Sequence, residues 1–287
     1  MNANKNLSAT TRTFALSALV LLAACGKEAT QQPLKLDQTT AVGSVVNSTW
    51  TVNWDNFTTG TTYTTDQAVS SFGNVTGWNE SRTYISNGTA RITLQPNALS
   101  SAGGVVANVN ISDGSAYEVD YDVRFHSQFD WSRGGKLGFG FSIGEGNTGG
   151  DPGWDGNGGS ARIMWYQTDA GRVFFQPYMY YKDQSGEYGE TFGKSYPSTG
   201  SLNKGQTYHI HLYVKSNTGS NTDGHVQLVI DGTIVLDRDM RWTTNDAQRL
   251  IKGLTFHTFR GGSQDYWESS TVGYIYYDNL KVHKISN

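Results

Sequence analysis

Between Ala116 and Phe125 apolar and charged residues alternate without a break: Val119, Tyr121, Val123 and Phe125 against Glu118, Asp120, Asp122 and Arg124. Period two marks a strand with one face in a core and the other in solvent. The same alternation recurs. Gly134–Ile143 puts Leu137, Phe139, Phe141 and Ile143 on one face and Lys136, Gly138, Gly140 and Ser142 on the other. Ser160–Trp165 sets Ser160 and Arg162 opposite Ala161, Ile163 and Trp165, and Val173–Tyr181 places Tyr178 and Tyr180 together. Asn87-Gly88 and Asp231-Gly232 each separate two strand-like runs and read as hairpin turns. With 34 glycines, 13% aromatics and no long helix-forming run, the pattern predicts a single all-β domain, a β-sandwich of two antiparallel sheets. Asn56–Val75 reads as loop, and Asp239–Gln248 as loop or one helical turn.

The N-terminus carries a different signal. Lys5 and Arg12 precede an apolar run, Phe14–Ala24, that is too short to span a bilayer. The run ends in Leu22-Ala23-Ala24-Cys25, which resembles a bacterial lipoprotein signal with its lipobox. That resemblance implies removal of residues 1–24, lipidation of Cys25, a polar tether over 25–45 and a folded domain over 46–287. It also implies anchorage to the bacterial cell envelope, at the outer membrane or cell surface; Gly26 in place of Asp argues against inner-membrane retention. Cys25 is the only cysteine, so an intramolecular disulfide is excluded. Loss of Lys5 and Arg12 takes the formal net charge from −3 to −5. No general basic field attracts nucleic acid, and an acidic ligand needs a local basic cluster. The chain is expected to be a monomer.

Four groups of residues invite a chemical reading. The row Glu118-x-Asp120-x-Asp122 resembles the paired carboxylates of sandwich glycoside hydrolases, but it lacks a terminal acid of the usual length and fits a solvated strand face better. His209 and His211 share a strand face without a third metal ligand at a recognisable spacing, and His257 stands apart. Asp151, Asp155 and Asn157 offer oxygen ligands for calcium, but their spacing is not that of an EF-hand. The fourth group is Lys136, Ser160, Arg162, Tyr178 and Tyr180, which converge on one polar surface if their strands share a sheet. Two cations, two phenols and a hydroxyl without a carboxylate fit β-elimination on a uronic acid polymer. The sugar carboxylate must be neutralised, a base must take the C5 proton, and an acid must protonate the departing oxygen. Arg162 suits the carboxylate, with Ser160 beside it. Like charge should depress Lys136 and make it a base, and the two cations should depress Tyr178 or Tyr180, the candidate acid. A tyrosine base remains the alternative. Trp165 is a candidate sugar platform. No cofactor is required by this chemistry.

Gly-Gly-Lys-Leu at 134–137, Gly-x-Ser-Ala-Arg-x-Met-Trp at 158–165 and Tyr-x-Tyr at 178–180 together resemble polysaccharide lyase family 14. Phe-x-x-Phe-Arg-Gly-Gly-Ser at 256–263 and Tyr-Asp-Asn-Leu at 277–280 extend the likeness. The resemblance implies a β-jelly roll and cleavage of a 4-linked polyuronide such as alginate or glucuronan, leaving unsaturated uronic acid ends. It places Lys136 in catalysis and the residues at 160, 162, 178 and 180 in the same cleft. Gly138-Phe139 departs from the family's Pro-Gly, and the loop that runs on to Gly159 is long. The competing readings are a sugar-binding lipoprotein without activity and, less favoured, a glycoside hydrolase.

Overall fold

A computed structural model describes residues 49–287. The signal segment, Cys25, the tether and the first residues of the expected domain lie outside those residues. In chain order the strands are β1 (Thr49–Val52), β2 (Asn74–Thr76), β3 (Thr83–Ser86), β4 (Thr89–Leu94), β5 (Val105–Gly114), β6 (Ala116–Phe125) and β7 (Gly134–Gly144). They continue with β8 (Gly158–Gln167), β9 (Val173–Tyr180), β10 (Thr207–Lys215), β11 (Gly224–Ile230), β12 (Thr233–Met240), β13 (Ile251–Arg260) and β14 (Gly273–Ser286). One sheet runs β12-β11-β10-β6-β14-β4-β3, with β1 added beside β14, and the other runs β2-β5-β13-β7-β8-β9. Every strand pair in both sheets is antiparallel. This is the expected two-sheet β-sandwich.

The inward faces are those the alternation marks. Val119, Tyr121, Val123 and Phe125 of β6 and Leu137, Phe139, Phe141 and Ile143 of β7 all lie in one buried cluster. Aromatic rings fill the space between the layers: Tyr121 of one sheet meets Phe139 of the other edge-on at 5.3 Å, and Phe139 stacks on its neighbour in the same sheet, Phe256, at 4.6 Å. Each such ring removes a large apolar area from water, the main favourable contribution to a sandwich of this kind. Both hairpin signals hold: Asn87 and Gly88 have φ of 49° and 74°, and Asp231 and Gly232 have 47° and 74°, as a type I′ turn requires.

Two local features differ from the sequence expectation. Asn56–Val75 is not all loop, because it contains the helix α1 (Thr65–Phe72), started by a capping box between Thr64 and Gln67. The helix packs Ala68 and Phe72 onto the core. Within the central strands, β7 advances four residues, from Leu137 to Phe141, while its partner β8 advances two, from Ile163 to Ala161. Gly138 sits in this bulge with φ of 64°, and a Cβ there would lie 2.8 Å from the Tyr121 ring. Only glycine tolerates both. Because the excess is an even number, side chains before and after the bulge keep the same face.

Candidate active site

The outer face of the six-stranded sheet gathers the site. Lys136 on β7 lies opposite Met164 on β8 and Phe259 on β13. Arg162 lies opposite Tyr178, and Ser160 opposite Tyr180. Register therefore stacks Lys136, Arg162 and Tyr178 into neighbouring columns. The Lys136 Nζ lies 3.7 Å from the centroid of the Tyr178 ring, and the Arg162 guanidinium carbon is 5.6 Å from that ring and 5.3 Å from Tyr180's. A cleft of about 490 Å³ opens over them, floored by Lys136, Arg162, Met164 and Tyr178 and walled by Tyr188 and Tyr266.

Both cations are withdrawn from water: Lys136 is 7% exposed and Arg162 5%. Among the described residues neither has a carboxylate within salt-bridge range. The Nε and Nη2 of Arg162 have no protein hydrogen-bond partner. Two buried like charges without a counter-ion oppose folding. Burial, and then the charge of Arg162, hold the Lys136 ammonium well below the usual lysine range. The expected depression is present, but desolvation leads it rather than charge repulsion.

Tyr178 corrects the expectation for the phenols. Burial, reinforced by Tyr180, pushes its hydroxyl up, and the opposing pull of Arg162 is smaller. The group therefore keeps its proton, as a hydrogen donor should.

Of three other expected site residues, two lie outside the cleft and the third lines it with its hydroxyl engaged. Trp165 is fully buried in the core with Phe125 and Phe129, and its Nε1 donates to the carbonyl of Trp131 at 2.9 Å. It is on the face opposite Arg162 and meets no sugar. Ser160 is also fully buried, and its hydroxyl donates to the carbonyl of Asn147 at 2.7 Å. Tyr180 lines the cleft, but its hydroxyl accepts the backbone N–H of Gly150 at 3.2 Å. Ser160 and Tyr180 thus pin the loop that borders the cleft.

A residue that sequence reasoning set aside belongs here. Arg162 Nη1 lies 3.5 Å from His257 Nδ1, and His257 Nε2 lies 3.2 Å from Asn108 Oδ1. Guanidinium only donates, so Nδ1 accepts and Nε2 carries the hydrogen given to Asn108. Burial, then Arg162 and Lys136, push His257 down to about 3. It stays neutral and keeps its acceptor toward Arg162. His257 and Asn108 come from β13 and β5, far from Arg162 in the chain, and the only sequence signal was that His257 and Phe259 alternate with Phe256 and Thr258.

The other candidate groups lie away from the cleft. On the outer face of the larger sheet, Asp120 pairs with His211 at 2.8 Å, Asp122 with His209 at 2.8 Å and Glu118 with His283 at 3.0 Å. The carboxylates and histidines satisfy one another, so neither a hydrolase pair nor a histidine metal site forms there. Asp155 accepts from Asn157, and Asn147 donates to Asp151. Among the described residues no cluster of acids, histidines or cysteines is arranged to hold a metal.

The sequence profile described as Polysaccharide lyase 14 matches residues 83–280. The chain belongs to polysaccharide lyase family 14. No curated protein sequence matches it. Among solved structures, that of alginate lyase Aly36B is 70% identical, covers 84% of this chain and 98% of its own, and superposes with a TM-score of 0.82. Double alanine variants of Aly36B, one at a lysine and a tyrosine and one at a lysine and a methionine, are solved with alginate tetrasaccharide and trisaccharide. The alginate lyase from Aplysia kurodai is 20% identical over 82% of this chain and 98% of its own, with a TM-score of 0.64, and shares the fold. Family membership makes this chain a polysaccharide lyase on a jelly-roll sandwich, and it removes the readings as a hydrolase and as a binding protein without activity.

Proposed function

We propose that this lyase cleaves alginate, or a related 4-linked polyuronide such as glucuronan, by β-elimination. One observation carries the reading: a buried guanidinium and a buried lysine amine, neither with a protein counter-ion, share a cleft with a protonated phenol. The Arg162 guanidinium, whose Nε and Nη2 are buried and bonded to no protein acceptor, supplies the fixed positive charge that a uronate carboxylate requires. Pairing there withdraws charge from the carboxylate and acidifies the C5–H. Lys136, neutral at its depressed pKa, takes the C5 proton. The C5–H electrons become the C4=C5 double bond as the C4–O4 bond breaks, and Tyr178 gives its proton to O4. The proton on Lys136 then returns to the Tyr178 phenolate beside it. The directions of the two pKa shifts favour lysine over tyrosine as base. The residue types altered in the alginate complexes of Aly36B, lysine with tyrosine and lysine with methionine, adjoin here as Lys136, Tyr178 and Met164.

The test is to incubate the protein with alginate, glucuronan and a neutral glucan and to follow ultraviolet absorbance beside reducing ends. Absorbance rising in step with reducing ends on a uronate polymer supports the reading; no product from either uronate polymer refutes it.

We further propose that Cys25 carries a lipid that holds the enzyme at the cell envelope, on the strength of the Leu22–Cys25 motif. Labelled fatty acid should enter the wild-type chain in its host and not Cys25→Ser.

A further inference from the structure

The cleft over Lys136 and Arg162 is half of a longer groove. Beyond His257 a second bay of about 370 Å³ opens on the same sheet face, lined by Asn108, Asn110, Ser142, Glu145 and Lys252. The bays meet where Arg162, in the first, touches His257, in the second. One loop borders both: Gly149 faces the first bay and Thr148 the second.

Lys252 reaches this bay through a fault in its strand. Along β13 the register slips between Ile251 and Gly253 against both neighbours. Ile251 and Leu254 are both buried in the core, so Lys252 and Gly253 stand together on the outer side. Strict alternation would have sent Lys252 inward with Leu254 and Phe256. A bulge next to an active site commonly re-aims a side chain in this way. The half-buried ammonium donates to Gln248 Oε1 at 3.1 Å, and no carboxylate lies within salt-bridge range among the described residues. Arg162 is level with His257, so Lys252 lies roughly 15 Å farther along the strand. That span holds a few sugar rings.

We propose that this bay is a second polyuronide subsite, in which Lys252 pairs with a uronate carboxylate remote from the bond being cleaved, while Asn108, Asn110 and Ser142 meet sugar hydroxyls. The inference rests on the polyuronide reading of the catalytic cleft. Lys252 acts on binding and not on chemistry. Glu145, exposed at the rim, repels a carboxylate and confines it to the lysine side.

The experiment is steady-state kinetics of the full chain on alginate oligosaccharides of increasing length, for wild type, Lys252→Gln and Lys252→Arg. Unsaturated product is followed by absorbance and folding by thermal melts. For wild type, kcat/KM should climb with length until the substrate fills both bays. Lys252→Gln should lose roughly fivefold of that climb, through KM with kcat unchanged, at an unaltered Tm. Lys252→Arg should retain it, and high salt should shrink the difference. An active wild type whose Lys252→Gln variant keeps the same KM at every length overturns the second subsite alone. A wild type that forms no unsaturated uronate from alginate or glucuronan overturns the substrate reading, and the bay with it.

Discussion

Lys136→Met is expected to raise the melting temperature while abolishing turnover. Lys136 is almost fully buried, has no carboxylate partner, and stands beside another buried cation, Arg162. Methionine matches its length and has no amine to titrate, so the variant is spared the free energy that desolvation and the charge of Arg162 impose on Lys136, whether spent in burying its charge or in giving up its proton. Replacing buried ionic groups by apolar ones of similar volume stabilises by about 1–4 kcal/mol in favourable cases. A gain of ~2 kcal/mol in a domain of this length corresponds to ~4–8 °C in Tm. The gain has a defined pH dependence. The pKa of Lys136 is lower in the folded chain than in the unfolded one, where it is about 10.4. Between those two values the unfolded chain binds more protons, so wild-type stability rises with pH through that window. The advantage of Lys136→Met should be largest below the folded pKa and should shrink toward pH ~10. Paired thermal melts across this range measure it. A variant less stable than wild type at neutral pH, or a gap that ignores pH, would refute the claim that the cleft disfavours a charge on Lys136.

Other substitutions separate the roles. Arg162→Lys keeps a charge but loses the fork and the contact with His257; loss of one charge-assisted hydrogen bond, worth about 1.5–3 kcal/mol, should lower kcat/KM by roughly 10- to 150-fold in the absorbance assay. Tyr178→Phe retains the ring over the Lys136 ammonium and removes the proton donor, so kcat should fall by roughly 100-fold or more with KM little changed. Asp120→Asn weakens a pairing with His211 on the far sheet; activity should stay within about twofold, with a stability loss of no more than ~1 kcal/mol in denaturant titration.

The grouping of Lys136, Arg162 and Tyr178 was legible because alternation reports which face a side chain takes, and the bulge between Leu137 and Phe141 is even and leaves that face unchanged. At Lys252 one strand slips, and alternation assigns the wrong face. His257 and Asn108 were hidden for a topological reason: β13 and β5 join the site as sheet neighbours, not as sequence neighbours. The second roles of Ser160 and Tyr180 depend on the path of the loop they hold, which periodicity does not describe. Trp165 was legible and misassigned, since it alternates with Arg162 and shares the core face of Ala161 and Ile163. For Tyr178 the residue types suggested a lowered pKa; depth of burial decides the opposite direction, and depth is a property of the assembled sheet. The helix over Thr65–Phe72 left its mark in Thr64 and Gln67, obscured by the threonines around it.

The central claim is that Lys136 is neutral when it meets substrate. The direct measurement is an NMR titration of the Lys136 Nζ in the folded enzyme, assigned by comparison with Lys136→Met, beside the pH profile of kcat/KM. The expected result is a midpoint well below that of an ordinary lysine, coincident with the acid limb of the rate profile. A midpoint in the ordinary lysine range, with full activity at pH values far below it, would contradict the account.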